Sequence, residues 1–412
     1  MKDMKLEKYV TLIENYCIEN AEKCFREAKG NLKYPFIVPG RAYAHDLWDW
    51  DSWLTDWAIA EIFADSKEIV AYEKGCVLNF LEAVDEQGRI PIVITNATTY
   101  GDIFELKDGK ETNIHKPCLA QHAAFICQKE KDYEWLRDKF SAFEAFISYY
   151  EGHCQHSCGL FFWINDFAIG IDNDPCTFYR PDKSTGSIYL NCLMYNELLA
   201  VADIAENLGM KDKAAIYHEK AEQLKGAMQA ECWDERDGFF YSADLNLRPI
   251  DKNEWLHSGA PRHWNSLPMR IGVWTGFMSL WCGVATEAQA KRIVEEHFLN
   301  EKTFHANYGV RTLSVAEKMY SIKAQGNPSD WLGPIWGICN YMVFVGLLKY
   351  GYQKEARELA VKTVTLYGQD IEENGEMHEY HDPDTGRGVF NLGFQSWNLL
   401  SFNMAQWLKN NR

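Results

Sequence analysis

Four short segments carry residue types suited to acid–base and sugar chemistry. The first, His45–Trp57, reads HDLWDWDSWLTDW at a loop-to-helix junction. Helical spacing puts Trp50, Trp53 and Trp57 on one side, and Asp51 or Ser52 near the helix start is a good capping position. Yet Asp46, Asp49, Asp51 and Asp56 in one stretch exceed what capping requires. Carboxylates beside indoles suit hydroxyl-rich ligands, because charge-assisted hydrogen bonds are strong and directional. The second segment, Gly170–Phe178 (GIDNDPCTF), sets Asp172 and Asp174 between a glycine and a proline. Asp-Asn-Asp-Pro alone reads equally well as a turn. The apolar LFFWINDF before it would bury Asp172, and burial with a neighbouring Asp174 charge would raise its pKa. A carboxyl group protonated near neutrality is what a general acid must be.

The third segment, Glu373–Gly388, is ENGEMHEYHDPDTGRG. Its DPDTG part is a turn, but two histidines and a tyrosine flank Glu379. The order His378-Glu379-Tyr380-His381 is not HExxH, so a zinc-protease helix is not supported. The fourth segment, Asp330–Tyr341 (DWLGPIWGICNY), begins a helix with Pro334 placed for its first turn. Trp331 and Trp336 frame that turn.

Helical periodicity dominates the elements that must position these segments. Apolar faces recur at Leu6–Cys17, Trp50–Ile62, Val70–Leu81 and Leu119–Cys127, then over 133–150, 188–208, 211–231, 269–283, 285–299, 334–350, 353–369 and 394–408. Very short breaks such as Gly209 join many neighbours into antiparallel hairpins. Between hairpins lie longer loops, Lys33–Asp46, Gly88–Pro117, Cys154–Ser187, Gly259–Met269 and Asp370–Phe394, rich in aromatics and acids. Loops of that length in a compact domain are usually functional or disordered, and their aromatic content favours function. About six hairpins with long connections predict an all-α fold, an (α/α)6 barrel or toroid, with the loops meeting at one mouth. No fixed-period repeat marks an open solenoid, and no linker breaks the chain, so residues 1–412 read as a single catalytic domain.

The chain has 59 Asp and Glu against 42 Lys and Arg, a net charge of -17, which disfavours nucleic acid and anionic membranes as partners. No uncharged apolar run approaches membrane-spanning length. The N-terminus MKDMKLEKYVTLIENYC lacks a secretory signal pattern. The 12 cysteines are scattered through apolar stretches, as expected of reduced thiols in a cytoplasmic protein. His153, Cys154, His156 and Cys158 cluster locally, but no second ligand pair at zinc spacing follows, and a turn is the better reading.

Taken in order, the four segments resemble glycoside hydrolase family 63 and its trehalase relatives, nearest to compact bacterial members similar to mannosylglycerate and glucosylglycerate hydrolases. The likeness runs from Tyr43 to Trp397 and rests on Trp50-Asp51-Ser52, Gly170–Asn173, Trp331–Pro334 and Glu379–Gly386, with Phe394–Trp397 closing the set. It implies an inverting hydrolase of a small α-linked glycoside, α-glucoside first and α-mannoside second. Asp172 would be the general acid and Glu379 the general base, with no cofactor and no metal. The implied substrate residues are Tyr43, Trp48, Trp50, Asp51, Lys116, Phe167, Trp331, Gln395 and Trp397. Departures fall at Phe167-Ala168-Ile169, at Lys116-Pro117-Cys118 where relatives carry Gln-Pro-Pro, at Leu332 for an arginine and at His381 for a tyrosine. An added lysine and a lost arginine point to a different leaving-group site.

Two rival readings remain. Another α/α-toroid enzyme, a sugar 2-epimerase or an unsaturated-uronide hydrolase, has His45, His115, His305 and His378 available as bases. A non-catalytic sugar-binding protein is the other. The expected partner is a small oligosaccharide or glycoside, and the sequence carries no signal for oligomeric state.

Overall fold

The computed structural model describes residues 2–40, 43–97, 111–248, 255, 262–323 and 327–411. Parts of three loops singled out above, at 41–42, 98–110 and 259–261, lie outside them. The described residues include twelve α-helices. They are α1 (Lys2–Ala21), α2 (Asp49–Ile62), α3 (Val70–Leu81), α4 (Leu119–Glu130), α5 (Phe140–His153), α6 (Ile188–Asn207), α7 (Lys211–Glu231), α8 (Met278–Cys282), α9 (Glu287–Arg292), α10 (Gly337–Lys349), α11 (Gln353–Asn374) and α12 (Leu400–Asn410).

The even-numbered helices form an inner ring. Each packs on the next even-numbered one, and α12 returns to α2 and closes the circle. Odd-numbered helices lie outside, as where α1 packs on α11 and α12. The sequence explains this sorting. In α6, 15 of 20 residues are buried, whereas α7 buries Ala214, Tyr217, Ala221, Leu224 and Met228 along one stripe. A helix apolar all round belongs inside, and one with a single apolar stripe lies outside. α6 is long and apolar enough by composition to span a bilayer, but 83% of that stretch is buried in the barrel.

Local signals set several boundaries. Ser187 caps α6 by accepting a hydrogen bond from the Leu190 amide, and Thr286 with Gln289 forms a capping box on α9. α11 stops at Gly375, whose φ of 77° favours a residue without a Cβ. Four expectations are corrected. The helix expected from 269 starts as a 3-10 turn at Trp274, and the one expected from 133 begins as a 3-10 turn at Glu134. Pro334 is not in the first turn of a helix. It precedes a short strand, Ile335–Trp336, and α10 starts at Gly337. Neither Asp51 nor Ser52 caps α2, because Trp48 is the cap residue and the helix already runs from Asp49.

The long loops carry two- and three-residue strands that tie them to one another. Ile335–Trp336 pairs with Tyr380–His381, which pairs in turn with Gly388–Phe390. This ladder fixes the loop before α10 against the loop that follows α11.

Candidate active site

A cavity of about 520 Å³ opens where the inner helices begin. Its floor comes from the first turn of α2, which supplies Trp50 and Asp51, and from the loop before α6, which supplies Gly170 and Asp172. Trp331 and Trp336 enter from the loop before α10, Glu379 from the loop after α11, and Trp397 from the turn leading into α12.

Aromatic rings make one wall. Trp331 and Trp336 stack at 3.9 Å between centroids, and Trp336 stacks on Tyr380 at 4.9 Å. Trp50 packs on Trp397 at 5.2 Å and on Trp331 at 6.2 Å. Such pairs contribute roughly 0.5–1.5 kcal/mol each beyond area burial, so this wall is rigid as well as apolar. Gly170 lets the Asp172 loop approach it. Its φ is 94°, and a Cβ there would lie 2.6 Å from the Trp50 ring.

Asn173 fastens that loop in place. Its side-chain amide donates to Asp330 Oδ1 at 3.0 Å, and its carbonyl oxygen accepts the Trp331 amide at 2.8 Å. Asp172 is thereby set beside the Trp331 loop, where Asn327 donates to its Oδ2 at 3.3 Å. Burial raises the Asp172 carboxyl above its usual range, opposed by hydrogen bonds from Ser329 and Asn327 and by the Lys116 charge. Asp174, expected to add to that shift, does not act on it. Its carboxylate turns into its own loop and accepts the Cys176 amide at 3.0 Å.

Glu379 is held from both sides. Its amide donates to the Phe390 carbonyl, and its Oε2 accepts from Asn391 Nδ2 at 2.8 Å. Burial pushes its carboxyl up to about 7, and the Asp172 charge adds to this. Asp51 is pushed up to about 8 by burial and by Asp49, with Lys116 opposing. Tyr43 feels the charges of Glu379, Asp51 and Asp172 together, which marks how closely the three converge.

Behind Glu379, Asp370 anchors its strand. Asp370 Oδ1 is 2.8 Å from His378 Nδ1, and Oδ2 is 2.9 Å from His381 Nε2. Burial works against its ionisation, but hydrogen bonds from both histidines hold its carboxyl below the usual range. The three groups lie within 4.8 Å of one another, a spacing a metal ion could bridge, yet both carboxylate oxygens are already engaged by the imidazoles.

Of the residues named from sequence, Tyr43, Trp48, Trp50, Asp51, Lys116, Phe167, Asp172, Trp331, Glu379 and Trp397 line this cavity. Phe167 stands at the mouth, half exposed. Gln395 does not line it. Its amide donates to the Tyr16 hydroxyl at 2.9 Å, behind the wall. Lys116 does line it, but its ammonium is committed to Asp49 at 3.0 Å. The histidine–cysteine cluster does not assemble: His153 pairs with Glu111, while His156 meets Cys158. All 12 cysteines are free thiols. Sequence reasoning missed Asn165, Asp166, Asp182, Asn327 and Ser329, all on the lining. Asn327 and Ser329 sit just before Trp331, and that polar run was the available signal.

Residues 43–397 match the family described as the mannosylglycerate hydrolase MGH1-like glycoside hydrolase domain. Mannosylglycerate hydrolase MGH1 of Selaginella moellendorffii is 23% identical, over 89% of this chain and 82% of that protein. A probable trehalase of Saccharomyces cerevisiae is also 23% identical, over 86% of this chain and 50% of that protein. Among solved structures, the GH63 mannosylglycerate hydrolase of Thermus thermophilus in complex with Tris and D-glycerate superposes with a TM-score of 0.68 at 17% identity, covering 96% and 99% of the two chains. Neutral trehalase Nth1 of Saccharomyces cerevisiae gives 0.65 at 16% identity, over 96% and 80%. Such enzymes are (α/α)6 barrels, the ring seen here.

Proposed function

Since the chain belongs to the mannosylglycerate hydrolase MGH1-like glycoside hydrolase family, we propose that it hydrolyses a small α-glucoside, with an α-mannoside second, by single displacement. The observation that carries this reading is that Asp172 and Glu379, far apart in sequence, line one aromatic-walled cavity. Asp172 protonates the departing glycosidic oxygen. Glu379, ionised, takes a proton from a water on the opposite face of the sugar. That water attacks the anomeric carbon in one step through an oxocarbenium-like transition state. Trp50, Trp331 and Trp397 pack the sugar's C–H faces, and Asp51 accepts hydroxyl hydrogens.

Charge supports a neutral leaving group. Among the described lining residues, the Asp166 and Asp182 carboxylates and the ionised Glu379 face one cation, Lys116, which is already paired. A carboxylated leaving group such as glycerate would meet repulsion there. The 2-epimerase reading loses its bases, because no histidine appears among the described lining residues. A purely binding role has no use for two carboxyl groups raised by burial in one pocket. The test is a screen of neutral α-glucosides and α-mannosides, among them trehalose, kojibiose and sucrose, beside mannosylglycerate and glucosylglycerate, with product analysis. Release of free glucose or mannose supports the proposal. An isomerised sugar with its glycosidic bond intact overturns it.

A further inference from the structure

A second and larger cavity, about 900 Å³, opens at the opposite end of the barrel. Its walls come from the middle and C-terminal parts of the inner helices, so it lies back to back with the first. Trp50 faces the front cavity, and Trp53, one turn along α2, faces the rear one.

The rear floor is aromatic. Trp53 meets Trp57 at 4.6 Å and Trp281 at 6.2 Å between centroids, and Trp57 meets Tyr341 at 6.0 Å. Around it stand polar groups that the fold does not use. The Glu61 carboxylate, the Asn196 amide, the Lys349 ammonium and the Tyr341 hydroxyl have no hydrogen-bond or ion-pair partner among the described residues. Glu61 lies near enough to Tyr341 to act on its hydroxyl through space. Elsewhere in the barrel, buried polar groups are spent on structure, as Asn340 is on Val310 and Thr363.

An anionic ligand would meet Glu61 and Asp203, and a cationic one would meet Lys349 and Lys129. An apolar ligand would strand the amide and the hydroxyl without partners. A neutral polyhydroxylated ring satisfies the whole set, with C–H faces on indoles and hydroxyls on mixed donors and acceptors. The volume lies in the range of small-molecule sites, up to about 1,000 Å³, and takes one or two pyranose units. From this geometry we infer that the rear cavity is a second, non-catalytic saccharide-binding site. It stands independently of the mechanism assigned to the front cavity.

The whole chain labelled with 5-fluorotryptophan tests this by fluorine NMR, its resonances assigned by single Trp→Phe variants. D-glucose, D-mannose and trehalose are titrated, with glycerol as control. The Trp57 and Trp281 resonances should shift saturably with at least one sugar, with a dissociation constant separate from that of Trp50 and Trp397. Asn196→Ala and Glu61→Gln, each at a site not fully buried, should weaken the rear titration about tenfold, ~1.4 kcal/mol, and leave the front one unchanged. Rear resonances that stay fixed to about 100 mM of every sugar, far above a ~1 mM constant, overturn the inference. So does a response that glycerol reproduces, or one that both variants leave intact. The front resonances report on the other cavity in the same spectra, so failure of one site is distinguishable from failure of the other.

Discussion

The Lys116 ammonium lies 3.0 Å from Asp49 Oδ1, with both side chains withdrawn from solvent. Asp49 also accepts the Trp50 amide at 2.7 Å and the Lys116 amide at 2.9 Å. Lys116 thus joins the loop before α4 to the first turn of α2, with its charge 5.3 Å from the centre of the Trp50 ring. Its presence was read from sequence as a leaving-group contact. The structure makes it a brace for the turn that carries Trp50 and Asp51.

Removing the brace leaves the buried Asp49 carboxylate without its counter-ion, which costs about 3–5 kcal/mol. Lys116→Met is therefore expected to lower unfolding stability by that amount in urea titration, and Asp49→Asn in the same chain should restore part of it. A loss below about 1 kcal/mol would mean the pair is solvated and does not hold the first turn.

Asp172→Asn and Glu379→Gln should each lose about 10²–10⁴-fold in kcat while unfolding normally, since each removes one proton transfer. Asp174→Asn should leave turnover close to wild type, because an amide oxygen can still accept the Cys176 amide. Steady-state rates on the best substrate of the screen check this. Near-normal turnover by Glu379→Gln would move the base elsewhere.

The raised carboxyl of Glu379 sets a sign for pH dependence. A general base works above its pKa and fails as pH falls through it. With Glu379 near 7 rather than at its ordinary 4.5, activity should fall away on the acid side of neutrality. An α-glycosyl fluoride isolates this limb, because fluoride leaves without a proton. Asp172→Asn should therefore still turn over the fluoride, whereas Glu379→Gln should not. Profiles of kcat/KM for the fluoride decide, and a wild-type rate that does not fall as pH drops through neutrality would remove Glu379 as the base.

The acidic lining predicts substrate choice. Neutral α-glucosides should exceed glucosylglycerate in kcat/KM, and the gap should narrow as salt screens the repulsion beyond a Debye length of ~10 Å at 0.1 M. Assays at low and high ionic strength measure it. A preference for the carboxylated substrate that weakens with salt would show an attractive cation in the cavity.

The barrel was legible because its signal is periodic. α7 is read from sequence at the bounds the structure has, 211–231, since an apolar stripe on a polar helix admits one register. The convergence of the Asp172 and Glu379 loops was legible only through resemblance. What brings them together is long-range: Asn173 bonding Asp330 and Trp331, and Trp336 pairing with Tyr380. No local pattern announces either contact. Gln395 misled for the same reason, because its neighbours Phe394 and Trp397 face the cavity while its own amide turns to Tyr16. The rear cavity was invisible in sequence, since Trp53 and Trp57 read as core on any helical face.

Single displacement is the central claim, and product stereochemistry tests it most directly. Water entering opposite the leaving group must convert an α-glycoside into the β-anomer first, which requires the two carboxyl groups to stand ~6.5–9.5 Å apart. A covalent glycosyl-enzyme, with a pair only ~5–5.5 Å apart, releases the α-anomer. Proton NMR of the anomeric signals in the first minutes, before mutarotation mixes them, should show the β-anomer appearing ahead of the α. First appearance of the α-anomer from an α-substrate would contradict Glu379 as a water-activating base and make it, or a neighbour, a nucleophile.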